Sequence, residues 1–317
     1  MEGAFVEFKH VYAGYGSGSS LEKLLRATPS SHTTVLRDLT FSLASHDQVV
    51  IFGPGGSGKS TLLRLIAGSH IAHEGTIVVN GKRPGTHPSA KDGYVCVDYA
   101  NRILHGTVQD VLLACGKAHK VDHLPSRIGE VTKVLGIEKL TEHKAQRLST
   151  TERIRVELAC AALSDAPVLL LDDIADVLEP GEIKRLLSGI FAGRCTCIAT
   201  RNVAIAESLE LPILLLHGTS LVHHGSRESI AHEAGINRMV DAWVEGLRYD
   251  LLRKLRSHPG VLQVQLLPTD QFDGSRLRIT MRNSRYLPSL YDVISQAQLV
   301  HIEELPPSLS DIVGSLS

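Results

Sequence analysis

Residues Gln48–Gly68 read QVVIFGPGGSGKSTLLRLIAG. An apolar run, VVIF, leads into the eight residues GPGGSGKS, Gly53–Ser60. Apolar residues at helical spacing follow at once. The order is strand, glycine loop, helix, and the loop fits G-x-x-x-x-G-K-[ST] at every fixed position. Gly53, Gly55, Gly56 and Gly58, with Pro54 and Ser57 between them, let backbone N–H groups turn inward around a phosphate. The start of the following helix, running on from Ser60 into Thr61, adds partial positive charge. Lys59 is placed to reach the terminal phosphates of a nucleoside triphosphate, and the Ser60 hydroxyl to ligate Mg²⁺. This stretch predicts an α/β fold of the P-loop NTPase class.

Further along, PVLLLDD, residues 167–173, is a strand-length apolar run that ends in two acids. A phosphate-binding loop needs such a partner, because a carboxylate at a neighbouring strand end can hold the cation. Asp172 is the expected Mg²⁺ ligand, directly or through water.

Around these two segments the pattern alternates. FVEFKHV and TVLRDLTFSL read as strands, with a Gly/Ser-rich loop and a short helical insert between them. GTIVVNGKR is a strand ending in an Asn-Gly turn. TVQDVLLAC, RIGEVTKVLGI and TERIRVELACAAL carry helical spacing, which predicts a helical subdomain over about 98–165. EPGEIKRLLSGIF is helix, CTCIAT strand, NVAIAESLE helix and PILLLH strand. Strands alternating with helices predict a parallel sheet with crossover helices. After about residue 228 the pattern changes. NRMVDAWVEGLRYDLLRKLRS is expected to be one long amphipathic helix. VLQVQLL, RLRITMR and QLVHIEEL read as strands, with LPSLYDVISQ a helix before the last. The expected organisation is a nucleotide-binding domain over 1–228 and a small α+β domain over 229–317.

With 33 basic and 34 acidic residues, no global positive field draws the chain to nucleic acid. The five cysteines carry no CxxC pairing with histidines, so they read as reduced thiols. The start, MEGAFVEFKHV, has no basic segment before an apolar run, so no signal peptide is expected. The longest apolar runs are of strand length, whereas a membrane helix needs about 20 residues.

RLSTTERIRVELACAAL lies between the loop and the acidic strand end. The three segments in this order resemble the nucleotide-binding domain of ATP-binding-cassette transporters over about residues 5–228. The resemblance implies that Ser149, Thr150, Thr151 and Glu152 form the signature, which meets ATP held by the opposing subunit. Ser149 matches the signature serine. Thr150 and Thr151 stand for two glycines and Glu152 for glutamine. The resemblance also implies that Tyr15, with Tyr12 as the alternative, stacks on adenine. Glu179 stands where the family has Asp at the dimer contact.

Three positions depart from the family. The second acid of the pair, which polarises the attacking water, is Asp173 instead of Glu. Asp is one methylene shorter, so its oxygens fall about 1 Å short, a misplacement that can cost roughly a hundredfold in rate. Val97 stands at the glutamine-loop position and cannot ligate Mg²⁺ or orient water. Arg201 replaces the switch histidine. It can pair with a γ-phosphate but is no neutral hinge, and a surface salt bridge is its plainer role.

The resemblance therefore implies that ATP and Mg²⁺ are bound, with slow or absent hydrolysis at this site. The tail ELPPSLSDIVGSLS and the upstream HPGVLQVQLL resemble the ends of ATPase subunits of bacterial type-2 exporters. That implies a cytoplasmic subunit, peripheral on the membrane through a permease, and paired with itself or with a second ATPase subunit. The alternative is a soluble ATP-gated regulator without a permease.

Overall fold

The computed structural model describes residues 5–16, 32–85, 94–98, 105–164, 166–174, 177–233, 238–268 and 274–315. The helical insert expected between the first two strands lies outside them. The chain divides into two compact units, residues 1–224 and 225–317.

The first unit runs β1 (Val6–Gly16), β2 (His32–Leu43), β3 (Gln48–Phe52), α1 (Lys59–Ile66), β4 (Glu74–Val79) and β5 (Tyr94–Asp98). Next come α2 (Val108–Ala118), α3 (Leu124–Val134), α4 (Thr150–Leu163), β6 (Val168–Asp172), α5 (Pro180–Ser188), β7 (Cys195–Thr200), α6 (Val203–Leu209), β8 (Ile213–His217) and β9 (Ser220–Gly225). Six strands form a sheet in the order β5-β6-β7-β3-β8-β9, with parallel pairing from β5 through to β8. A separate antiparallel sheet has the order β2-β1-β4. The α/β class is as the alternation predicts.

The central strands are buried along their whole length: VLLLD in β6 and CTCIAT in β7. Strands covered on both faces read as continuous apolar runs instead of alternating ones. The apolar face of α1 (Leu62, Leu63, Leu65, Ile66) packs into the same core as Phe8, Leu36, Ile51 and Leu214. Helices α2 and α4 open with capping boxes, Thr107 with Asp110 and Ser149 with Glu152. Each satisfies N–H groups that a helix start leaves open.

The second unit contains α7 (Arg227–Glu233), β10 (Arg238–Glu245), α8 (Tyr249–Ser257), β11 (Val261–Leu267), β12 (Ser275–Met281), α9 (Leu287–Ile294), β13 (Gln298–Leu305) and α10 (Leu309–Ser315). Its antiparallel sheet has the order β11-β12-β10-β13. From β10 onward this is a β-α-β-β-α-β unit with the split, ferredoxin-like arrangement.

Here the single long helix expected over NRMVDAWVEGLRYDLLRKLRS is wrong. The segment is a strand, a turn at Gly246 with φ 59°, and a short helix. Strand β10 has a neighbour on each side, and Val240, Ala242 and Val244 face the core beneath α8 and α9. Met239 and Asp241 are buried as well. With both faces covered, the strand lost the alternation that would have marked it. No helix among the described residues is long and apolar enough to cross a membrane.

Candidate functional site

The glycine loop leaves the carboxyl end of β3 and turns into α1. Gly58 takes φ 93°, a left-handed conformation that side chains resist. Its missing Cβ also leaves room for Leu36. A Cβ on Gly53 would meet the carbonyl of Leu216 on β8. No side chain caps the start of α1, and its first turn holds no acid. This sets it apart from α2 and α4, whose starts are closed by their own side chains. An uncapped helix start beneath a glycine loop suits an anion.

Lys59 is only 8% exposed. Its Nζ donates to the carbonyls of Gly53 (2.7 Å) and Pro54 (2.9 Å) and to Ser57 Oγ (3.5 Å). A buried ammonium needs such acceptors, and the loop supplies them from its own backbone. Ser60 Oγ donates to Asp172 Oδ1 at 3.1 Å, joining the helix start to the end of β6.

A cleft of about 480 Å³ opens over these groups. It is lined by Tyr15, Val35, Gly55, Gly56, Gly58, Lys59, Ser60, Thr61, Asp173 and Arg201. Tyr15 is 45% exposed. Its hydroxyl meets Thr61 Oγ1 at 3.1 Å and accepts from Arg64 at 3.1 Å, and its ring lies tilted on His70 at 4.9 Å. Tyr12 does not line the cleft.

Asp173 follows the end of β6 with φ 52°, a left-handed conformation, and its N–H donates to Ala199 on β7. Its Oδ1 is buried without a hydrogen-bond partner among the described residues. Strained backbone and an unsatisfied polar atom in one residue are features that cluster at working sites. Arg201 follows the end of β7.

The residues present fit a bound Mg²⁺. Ser60 and Asp172 offer a hydroxyl and a carboxylate side by side, and Asp173 holds an oxygen with no donor among the described residues. Among the described residues no group of three or more His, Cys, Asp or Glu is placed to hold a metal by itself. A cation here would complete its shell with water and phosphate oxygens, as Mg²⁺ does. It would neutralise phosphate charge.

Two groups of expected residues lie outside the cleft. Val97 is inside β5, opposite Leu171, and is 1% exposed. The four signature positions form the start of α4. Ser149 Oγ donates to Glu152 Oε2 at 2.7 Å, and the Ser149 N–H reaches the same oxygen at 2.8 Å. Those bonds hold the Glu152 carboxyl below the usual range. Glu179 precedes α5 and makes no side-chain cap.

Val35 and Arg64 were missed from the sequence. Val35 belongs to no motif, and only the pairing of β1 with β2 brings it there. Arg64 lies on the α1 face beside Tyr15, four residues after Ser60, a spacing that could have drawn attention to it.

The family model described as ABC transporter matches residues 36–176. An ABC transporter ATP-binding protein of Caldanaerobacter subterraneus subsp. tengcongensis is 32% identical over 215 residues, 62% of this chain and 88% of that protein. The molybdate/tungstate import ATP-binding protein of Pyrococcus abyssi is 36% identical over 142 residues, covering 44% of this chain but only 41% of that protein. A solved structure of an ATP-binding subunit of an ABC transporter superposes with TM-score 0.61 at 20% identity. It covers 78% of this chain and 98% of its own. The glycine loop, the acidic strand end and these similarities together establish that the chain belongs to the ABC transporter ATP-binding protein family.

Proposed function

We propose that this chain is the ATP-binding subunit of a membrane transporter, and that it binds Mg-ATP while hydrolysing it slowly or not at all at its own site. The contrast between the two halves of the expected site carries the reading. Lys59, Ser60 and Asp172 form a complete phosphate-and-cation side. The positions that would activate water hold Asp173, Val97 and Arg201. The Asp173 carboxylate is a methylene shorter than the family's glutamate. Val97 has no polar side-chain atom and is buried in a strand.

The transport role rests on the relatives, which include an import ATP-binding protein. The signature start of α4 lies apart from the cleft residues. That agrees with an ATP shared head to tail between two ATPase subunits, each closing the other's site. A partner with regular catalytic residues would keep one working site, with Ser149, Thr150, Thr151 and Glu152 closing it. A permease would then hold the pair at the cytoplasmic face of the membrane.

The test is Mg-ATP binding and steady-state hydrolysis by the purified chain, beside Lys59→Ala and Asp173→Glu. Lys59→Ala is expected to weaken ATP binding about a hundredfold, the loss of a buried, charge-assisted contact of roughly 3 kcal/mol. The wild type should turn over well below about 1 s⁻¹, the low end of typical enzymes. Faster turnover that Lys59→Ala abolishes would overturn the slow-hydrolysis reading and leave an ordinary motor.

A further inference from the structure

We infer, building on the nucleotide-binding reading above, that His70 and His73 clamp the carbonyl of Gly14 and so hold Tyr15 as a platform on which the nucleobase stacks. Both are positioning residues, acting on the ligand only through Tyr15.

The end of β1 needs such a support. Its pairing with β4 stops where Tyr12 lies opposite Glu74, while its pairing with β2 runs on through Tyr15 to Gly16. Past Tyr12, that edge of β1 has no partner strand among the described residues. Backbone groups left without a ladder must find other partners. The segment between α1 and β4 supplies them. The His73 N–H donates to the Tyr12 carbonyl at 2.7 Å. The Nε2 atoms of His70 and His73 lie 3.1 and 3.0 Å from the Gly14 carbonyl oxygen. A carbonyl oxygen only accepts and has two lone pairs, so each imidazole carries a proton on Nε2 and both donate.

The side chain of Tyr15 is tied to the same segment. The His70 N–H donates to the Arg64 carbonyl at 3.1 Å, which anchors the clamp to the last turn of α1. From that turn the Arg64 guanidinium donates to the Tyr15 hydroxyl at 3.1 Å, and Thr61 Oγ1 meets the same hydroxyl at 3.1 Å. The His70 imidazole leans on the tyrosine ring, with centroids 4.9 Å apart and planes 39° apart. Backbone, hydroxyl and ring are thus all held by α1 and the residues that follow it. Helix α1 begins at Lys59. One element therefore fixes the ring relative to the phosphate-binding lysine.

The ring is nonetheless 45% exposed and lines the cleft. A tyrosine held at several points and left half bare beside a phosphate loop suits an aromatic base, which stacks on a ring without needing its hydrogen-bonding edge to be read. Stacking on a ring already in place avoids the entropy loss of ordering a mobile one. The two imidazoles supply that preorganisation.

The experiment is calorimetric titration of the full chain with Mg-ATP and with Mg-tripolyphosphate, which offers phosphates without a base. The variants are His73→Ala, His73→Gln, the double variant His70→Ala/His73→Ala, Tyr15→Ala, the triple variant that combines these alanines, and Lys59→Ala. The double variant and Tyr15→Ala should each weaken Mg-ATP about tenfold, within the range of one base–aromatic stack. Tripolyphosphate should change by less than about twofold in both, the scatter expected of independent sites, which also shows that the loop is still folded. His73→Gln keeps an amide donor in place of Nε2 and should recover most of what His73→Ala loses. On the Tyr15→Ala background the two histidine substitutions should cost nothing further, because they act through that one residue. A further loss on that background, equal weakening of both probes, or unchanged Mg-ATP binding would overturn the inference. Lys59→Ala tests the nucleotide site itself: binding of both probes as in the wild type would sink that reading, and the clamp with it.

Discussion

Two aspartates, one in each unit, are treated in opposite ways. Asp241, at the centre of β10, is fully buried. Its carboxylate accepts four bonds: from Arg276 at 3.0 and 2.6 Å and from Arg278 at 2.9 and 2.9 Å. Asp173 stands on a left-handed backbone with one oxygen buried and without a partner among the described residues. Every lone pair that matters is satisfied in the first, and the chain leaves the second open at its own cost. A carboxylate that serves the fold is paired by the fold. A carboxylate that serves a ligand is left for the ligand to pair.

The largest effect is expected from removing Asp241. Asp241→Ala leaves two guanidiniums, each less than a third exposed, without their counter-ion. Breaking such a pair costs about 3 kcal/mol. Trp243 is the single tryptophan, and the Arg276 guanidinium stacks over its ring at 4.7 Å. Its fluorescence during urea unfolding therefore reports on this unit. An unchanged midpoint would mean that the network is ornamental.

The same carboxylate predicts an acid transition. Burial pushes the Asp241 pKa up, but the bonds from Arg278 and Arg276 outweigh it and leave the carboxyl below its ordinary value. A depressed folded-state pKa gives stability that is present above the unfolded value of about 3.9 and lost as pH falls below it. Trp243 emission should hold steady down to about pH 4 and shift below it. Asp241→Asn should flatten that dependence.

Asp173→Glu sharpens the other side. A carboxylate one methylene longer should raise turnover at least tenfold, since about 1 Å of placement is worth up to roughly a hundredfold. No gain would move the block to Val97 or Arg201. The smallest effect concerns the strain. Asp173→Gly removes both the left-handed penalty and the buried orphan oxygen. It should stabilise the first unit by about 1 kcal/mol, a rise of roughly 2–4 °C in melting temperature. A loss of stability would show that Asp173 has no such cost.

Legibility followed locality. The run from Val49 to Ile66 carries strand, loop and helix in contiguous residues, each with its own chemical signature, so the phosphate side could be read directly. Asp172 was legible because an apolar run of strand length closes on the first of two neighbouring acids. The second unit was harder. Val240, Ala242 and Val244 alternate as a strand should, but Met239 before them and Asp241 between them are buried too, and the pattern blurred into a helix. Asp241 in such a run was the missed signal. A charge inside an apolar stretch needs partners, and Arg276 and Arg278 lie on another strand.

By itself, then, the sequence determined the loop, the acid pair, the altered residues opposite them and the alternation that specifies an α/β unit. These are properties of neighbours along the chain, fixed by φ/ψ preference, periodicity and side-chain length. Only the tertiary structure decided that β10 is a strand, that Asp173 keeps an unpaired oxygen and that Val97 is walled into β5. It also decided that Arg201 faces the cleft with no partner among the described residues. Burial and pairing are set by what packs alongside, and those contacts come from residues far away in sequence.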